Sequence, residues 1–440
     1  MIRASLSAPP ARPTGLQCVR GALLGALLLL PLQARSQEDR RYTVITGTGE
    51  ALYRLAIPPV IDGGGAAAAA RTATAVMTRD MTLIGLFKVL DPKGFLANLA
   101  REGTGISAQE WINVGAQGVI KARASKTGGK TSIDFYLYDV AKGTTPVLKK
   151  TYTGRNVRRL AHHFGDDVVK FYTGQRGIFT TKIAFASGSR RKGISNVYVM
   201  DYDGYGVYRV SKTGNQNVLP AWSPSGQLAW TSFLWHNPDL FISAGGGRAR
   251  RAAKYPGLNT GAAWSPRGNA IALTLSKDGN AEIYLISPGG GIIRRLTNNS
   301  AIDTSPAWSP DGGQLAFVSN RGGSPQIYLM SAGGGGARRL TFQGNYNQEP
   351  SWCPDPKNPV VAFTGRDESG HYDIFSVNVK SGEVKRLTQG QGSNTSPSWA
   401  PNGKLLVFSS SRGGLWLMNA DGLNQHQVHR GGGLTPTWSH

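Results

Sequence analysis

The chain has 440 residues, 58 of them glycine, with 40% apolar and only 17% charged residues and a formal net charge of +23. That length exceeds one ordinary core and points to more than one domain. The regularly spaced apolar residues exclude a disordered chain, and the glycine load disfavours helical bundles, since glycine weakens helices but serves tight turns.

Residues 1–36 hold Arg3, Arg12, Arg20 and Arg35, no acidic residue, and an apolar run over 21–30 that ends at Pro31 ahead of Ala34 and Ser36. This is the pattern of a secretory signal peptide, cut before Gln37. An apolar run of about ten residues is too short for a bilayer span, which takes about 20, so the mature chain is expected not to span a membrane. Cys18 leaves with the signal and Cys353 stays alone, so no disulfide or cysteine metal site is available within one mature chain. Losing four arginines takes the net charge from +23 to +19.

Residues 37–175 carry helical patterns alternating with strands and read as a small α/β domain. Residues 37–49 are read as a mobile N-terminal arm that includes Tyr42, Val44 and Ile45, and residues 63–70 as a Gly/Ala loop. The apolar spacing predicts strands at 55–61, 118–122 and 133–138 and helices at 73–86, 108–115 and 158–171. A short linker at 174–177 closes the domain.

From residue 176 to 440 one repeat dominates. Trp222, Trp264, Trp308, Trp352, Trp399 and Trp438 recur at steps of 42, 44, 44, 47 and 39 residues, the period of a β-propeller blade. The template is clearest at Pro306-Ala307-Trp308-Ser309-Pro310-Asp311-Gly312, a short strand followed by a type I turn with Ser first, Pro second and Gly fourth. After each turn come two apolar strand patterns, for instance residues 315–319 and 327–330, then a glycine-rich turn and a basic outer strand. The first copy, residues 182–211, lacks its Trp strand, and the last, residues 434–439, has only that strand. Together they complete one blade, so the expected fold is an all-β six-bladed propeller closed by its C-terminal strand, behind the α/β domain.

Arg294-Arg295-Leu296-Thr297, Arg338-Arg339-Leu340-Thr341 and Lys385-Arg386-Leu387-Thr388 repeat the basic strand, where the charges are expected to protect strand edges. Placement once per repeat argues against a nucleic-acid surface. No catalytic residue is identified. Gly129-Lys130-Thr131 lacks the first glycine of a phosphate loop, Ala124 standing there, and reads as a turn. His162 and His163, and His426 and His429, come without further zinc ligands and read as surface histidines, so no metal or other cofactor is assigned. Asp311, Asp355 and Asn402 share the third turn position with Ser225 and Arg267, which makes them turn residues.

The whole arrangement resembles the TolB family of the Tol-Pal envelope system, most pointedly at Val199-Met200-Asp201-Tyr202-Asp203-Gly204-Tyr205, Leu275-Ser276-Lys277 and Ser396-Pro397-Ser398-Trp399-Ala400-Pro401-Asn402-Gly403. The resemblance implies a periplasmic, monomeric, non-enzymatic scaffold that supports envelope integrity and outer-membrane constriction during division. Its propeller funnel is expected to receive the peptidoglycan-associated lipoprotein Pal, through Leu258, Asn259, Thr304, Ser305, Gln348, Glu349, Thr395 and Ser396. Its arm is expected to engage a TolA-like inner-membrane protein through Tyr42, Val44 and Ile45. The sequence departs from the family pattern at Leu258, where a His is familiar, at Ser305, where a Glu is, and at residues 46–49, which replace an acidic turn. The competing readings are a periplasmic propeller that binds glycan or an anionic polymer, or a propeller enzyme.

Overall fold

A computed structural model describes residues 52–189, 193–212, 214–244 and 248–440. The segments expected to form a signal peptide and an N-terminal arm, with Tyr42, Val44 and Ile45, lie outside these residues.

The first domain runs β1 (Tyr53–Ala56), β2 (Ile61–Asp62), α1 (Ala67–Leu83), β3 (Phe87–Val89), α2 (Leu99–Glu102), α3 (Ala108–Asn113), β4 (Gly118–Thr127), β5 (Lys130–Asp139), β6 (Leu148–Gly154) and α4 (Val157–Thr173). Its sheet has the order β3-β1-β4-β5-β6, with β2 also on β4. Strand β1 is parallel to both β3 and β4, while β5 is antiparallel to β4 and β6. Leu55 packs beneath α1 and α4 and Ala56 against Trp111 of α3, so β1 is covered on both faces, as parallel strands require.

The expected elements are present with different limits. The alanine run read as a loop instead opens α1, because alanine is the best helix former and Asp62 Oδ1 accepts from Gly64 N (2.9 Å) and Ala66 N (2.8 Å), fixing the turn ahead of it. The helix stops at Leu83 rather than residue 86, since Gly85 turns left-handed (φ 71°) and releases Phe87–Val89 to pair with β1. In α4, Asn156 Oδ1 accepts from Arg159 N (3.1 Å) at one end, and left-handed Gly174 closes the other. The turn at Gly128 and Gly129, both at positive φ, joins β4 to β5, so of Gly129-Lys130-Thr131 the glycine lies in the turn and the other two open β5.

Six four-stranded sheets follow. We number the blades from the one that contains residues 182–209; blades 2 to 6 then begin at Asn217, Asn259, Asp303, Asn347 and Asn394. The innermost strand of blade 1 is the C-terminal segment Leu434–Trp438, antiparallel to Lys182–Ser189. Ser439 N donates to Lys182 O (2.8 Å), Lys182 N to Ser439 Oγ (2.9 Å), and Trp438 Nε1 to Thr181 Oγ1 (2.7 Å). The turn after the Trp strand forms as the repeat predicts, with Gly312 N donating to Ser309 O at 2.9 Å and Gly312 at φ 73°. In blade 5, Pro354, Asp355, Pro356 and the residues that follow lengthen this turn, which supplies most of the extra length in the longest step between tryptophans.

Blade packing combines apolar faces with a repeated polar tie. Clusters such as Ala316, Leu329, Val361 and Phe363 join blades 4 and 5. Beside them Gln326 Oε1 accepts from Thr341 Oγ1 (2.8 Å) in its own blade and from Asn347 Nδ2 (2.8 Å) in the next. Asp373 Oδ1 does the same for Thr388 (2.6 Å) and Asn394 (3.3 Å). The basic outer strands, expected to protect edges, also tie blades together. Arg295 and Arg386 pair with buried Glu282 and Asp373, while Arg250, Arg294 and Arg338 reach the carbonyls of Pro288, Gly333 and Val379 in the following blade.

The first domain shares its core with blades 6 and 1. Met77, Met81, Phe164 and Val168 of α1 and α4 belong to one cluster with Phe179, Phe185, Tyr202, Leu415, Leu417, Val428 and Trp438. Removing residues 434–440 takes an innermost strand and part of this shared core together. We expect that truncation to abolish the single cooperative unfolding transition and to expose apolar surface, which calorimetry and dye binding would report.

Candidate partner-binding face

Each innermost strand starts at one end of the ring and finishes at its Trp, so the ring has two distinct ends. The first domain docks at the Trp end, where Asn424 Nδ2 of blade 6 donates to Leu83 O (3.4 Å) and Arg79 Nε to Asp203 O (3.2 Å) of blade 1. The residues expected to meet a partner lie at the opposite end, Leu258 just before and Asn259 at the start of their innermost strand and the other six at the second and third positions of theirs.

At that end every innermost strand carries a bulge three residues before its Trp, seen as a register shift in all six blades. The residue at the bulge has positive φ in each blade: Leu219 (53°), Gly261 (65°), Ser305 (53°), Glu349 (54°), Ser396 (55°) and Thr435 (46°). Five of the six are not glycine, a conformation that costs a non-glycine residue about 1–2 kcal/mol. These residues ring the mouth of a central channel of about 580 Å³, which continues past the tryptophans toward the first domain.

The structure gathers some of the expected positions and sets others apart. Thr304, Ser305 and Gln348 line one pocket of about 240 Å³ between blades 4 and 5, together with Ile302 and Tyr346. Thr395 is half-buried at the equivalent point of blade 6, and Leu258 is exposed. Glu349 is turned sideways, its Oε2 accepting from Thr364 Oγ1 (2.8 Å) and from Ser396 N (2.8 Å), so it joins blade 5 to blade 6. Ser396 is buried by that contact. Asn259 is fully enclosed, its side chain bonded to Tyr255 N, Tyr255 O and Gly257 O, a shaping rather than a contacting position. Counted back from the tryptophans, Leu258 and Asn259 stand two residues earlier than the other pairs, and the equivalents in blade 3 are Thr260 and Gly261.

Three mouth residues escaped the sequence reading: Leu219, Gly261 and Thr435. The available signal was the proline after the bulge, present at 220, 306, 350, 397 and 436 but replaced by Ala262 in blade 3.

The histidines divide. His426 Nε2 lies 2.8 Å from Asn424 Oδ1, and His429 packs on Phe185 with ring centroids 4.8 Å apart; burial holds both below the usual imidazole range. His163 stacks on Tyr152, 5.8 Å between centroids. His162 is not a surface residue as the sequence suggested but is buried under the propeller, its Nδ1 2.9 Å from Asp80 Oδ2. Asp203 completes a group with these two, with donor atoms within 4.8 Å of one another. The charge of Asp203 is met by Arg158, its ion-pair partner. Cys353 is buried, and burial pushes its thiol up to about 11, which makes it an inert packing residue.

Known proteins fix the lineage. The family description "TolB beta propeller domain" matches residues 169–440, and "TolB amino-terminal domain" matches residues 42–145. The chain belongs to the TolB family. The Tol-Pal system protein TolB of Anaeromyxobacter dehalogenans is 39% identical over 282 residues, 61% of this chain and 62% of that protein. The TolB of Geobacter metallireducens is 42% identical over 203 residues, 46% of this chain and 47% of that protein. These alignments thus span about half to three fifths of the length of the curated relatives. The crystal structure of TolB from Acinetobacter baumannii superposes with a TM-score of 0.77 at 27% identity, covering 89% of this chain and 97% of that one. The match to TolB therefore extends through both domains.

The left-handed mouth residues give a test of backbone constraint. A Cβ on Gly261 would meet nothing closer than 3.6 Å, so the penalty for a side chain there is conformational rather than steric. Gly261→Val is expected to lower stability by about 1–3 kcal/mol, whereas Leu219→Gly should leave it within about 1 kcal/mol. Denaturant unfolding of the two variants would read the difference.

Proposed function

We propose that this chain is a periplasmic scaffold of the Tol-Pal system, exported by residues 1–36, with its α/β domain over 37–175 and its propeller over 176–440. The open end of the propeller receives the peptidoglycan-associated lipoprotein Pal, and the arm that contains Tyr42, Val44 and Ile45 engages a TolA-like inner-membrane protein. Acting as a monomer, it links the two membranes without chemistry of its own and supports envelope integrity and constriction at division.

The observation that carries this reading is the mouth opposite the docked first domain. It combines a rigid, bulged rim with a pocket at Thr304, Ser305 and Gln348 flanked by exposed Ile302, a concave patch of mixed polarity. Such a patch suits a protein segment better than a small polar substrate. Leu258, exposed at the strand start of blade 3, and Thr395 in blade 6 extend the rim on either side. Asn259, Glu349 and Ser396 contribute by holding the loops in shape.

Two separate sites make the proposal divisible. Mature protein used as bait in envelope extract is expected to retain Pal and a TolA-like protein. Gln348→Arg, which fills the mouth pocket with a charged side chain, should lose Pal alone, by at least about tenfold if one desolvated charge is forced into the contact. Deleting residues 37–49 should lose the inner-membrane partner alone. Retention of neither partner by the native chain, with salt-sensitive capture of glycan or polyanion in their place, would overturn the reading.

A further inference from the structure

The contact between the two domains contains a polar network inside an otherwise apolar core. Asp80 of α1 is fully buried, with Oδ2 2.9 Å from His162 Nδ1 of α4 and Oδ1 accepting from the Tyr202 hydroxyl of blade 1 at 2.6 Å. His162 also meets Tyr202 edge to face, with centroids 5.9 Å apart, and its Nε2 is buried without a hydrogen-bond partner. Asp203, next in the chain to Tyr202, is buried, paired with Arg158 of α4, and accepts at its carbonyl from Arg79 Nε (3.2 Å) and Nη2 (3.1 Å). Arg158 stacks on Tyr205 at 3.9 Å, and the Arg79 charge, after burial, disfavours a charge on His426 of blade 6. Asp201, which ends the strand just before Tyr202, is already bonded to Lys182 (2.7 Å).

The first domain thus contributes Arg79, Asp80, Arg158 and His162, and the propeller contributes Tyr202, Asp203 and Tyr205. Asp203 has a fixed counter-charge in Arg158. Asp80 has none among the described residues, where its charge is met by an imidazole and a phenol. We propose that this network is a proton-linked latch, in which a proton held by the Asp80–His162 pair keeps the domains docked and its release to solvent loosens α1 and α4 from blade 1. Without that proton a carboxylate stays buried against a neutral imidazole and one hydroxyl, an arrangement poorly paid for by hydrogen bonds.

The direction follows from both members of the pair. Burial pushes Asp80 up to about 6 despite its bonds to His162 and Tyr202. Burial opposes a charge on His162, but the Asp80 hydrogen bond and charge, aided by Asp203 and opposed by Arg158, raise it above its ordinary value. Each shift means that the docked form holds more protons than the undocked one. The histidine's contribution is complete below its ordinary pKa and is lost as pH rises through the raised one. The cost of burying Asp80 as an anion is fully felt above about 6, in the same sense.

Hydrogen exchange on the full mature chain reads this directly, by comparing segments 79–84 and 201–205 with propeller strands 314–319 and 326–331 as internal controls. After correction for intrinsic rates, the opened fraction at the interface is expected to grow by up to about tenfold per pH unit between about pH 6 and about pH 8, with the control strands unchanged. His162→Gln should flatten that dependence to less than about twofold, and Tyr202→Phe, which keeps the pair, should retain it. If either variant fails to fold, the native measurement decides alone. Interface exchange that follows the control strands at both pH values would overturn the latch, as would an unchanged slope in His162→Gln.

Discussion

Everything in this molecule depends on a strand pairing between the first and last segments of the propeller, whose closing contacts lie 257 residues apart in sequence. No blade covers its own faces, so each is stable only with a neighbour on either side, and a ring satisfies that need without a free end. The pairing of Leu434–Trp438 with Lys182–Ser189 converts an open stack into a closed one. Hydrogen bonds from Ser439 and Trp438 to Lys182 and Thr181 pin its last turn. The polar ties of Gln326 and Asp373 then set the rotation of each blade against the next, which apolar packing alone, being non-directional, leaves loose.

Closure also gives the two ends different characters. At the Trp end the ring is covered, because the first domain inserts Met77, Met81 and Phe164 into the same core as Phe185 and Trp438. At the other end the backbone is held in left-handed bulges whose cost the surrounding sheets absorb. Strain of that kind keeps the mouth from relaxing into regular ladders and leaves backbone groups free of the sheet. The result is a rigid, concave rim facing away from the docked domain, suited to recognition by shape.

The fold was legible because it is repeated. Six tryptophans at blade spacing, five of them followed by a Ser-Pro or Ala-Pro/Cys-Pro turn, fix strand order, and the split first and last copies fix closure. The first domain was less legible where periodicity is weak. Strand β6 is an edge with Lys149, Lys150 and Thr151 outward, and β3 has only three residues, so neither carries a core pattern. The alanine run hid the start of α1 because low complexity reads as a loop until burial of Ala69, Ala70 and Ala73 shows one helical face. At the mouth, the missing proline at Ala262 shifted the blade 3 positions by two residues. His162 and His163 are adjacent in sequence but meet different neighbours, Asp80 and Tyr152, and nothing local identifies Asp80, 82 residues earlier, as the partner of His162.

The shared core has a consequence for assembly. The surface onto which the first domain docks is built from blades 6 and 1, and blade 1 is incomplete until its innermost strand arrives from the last residues of the chain. The first domain, synthesised earlier, therefore waits for residues 434–438 before its apolar underside can be covered. Such long-range dependence makes folding slow and leaves that underside open to unwanted association during the delay. A chain built this way favours holding factors that shield its leading domain until the trailing end is free.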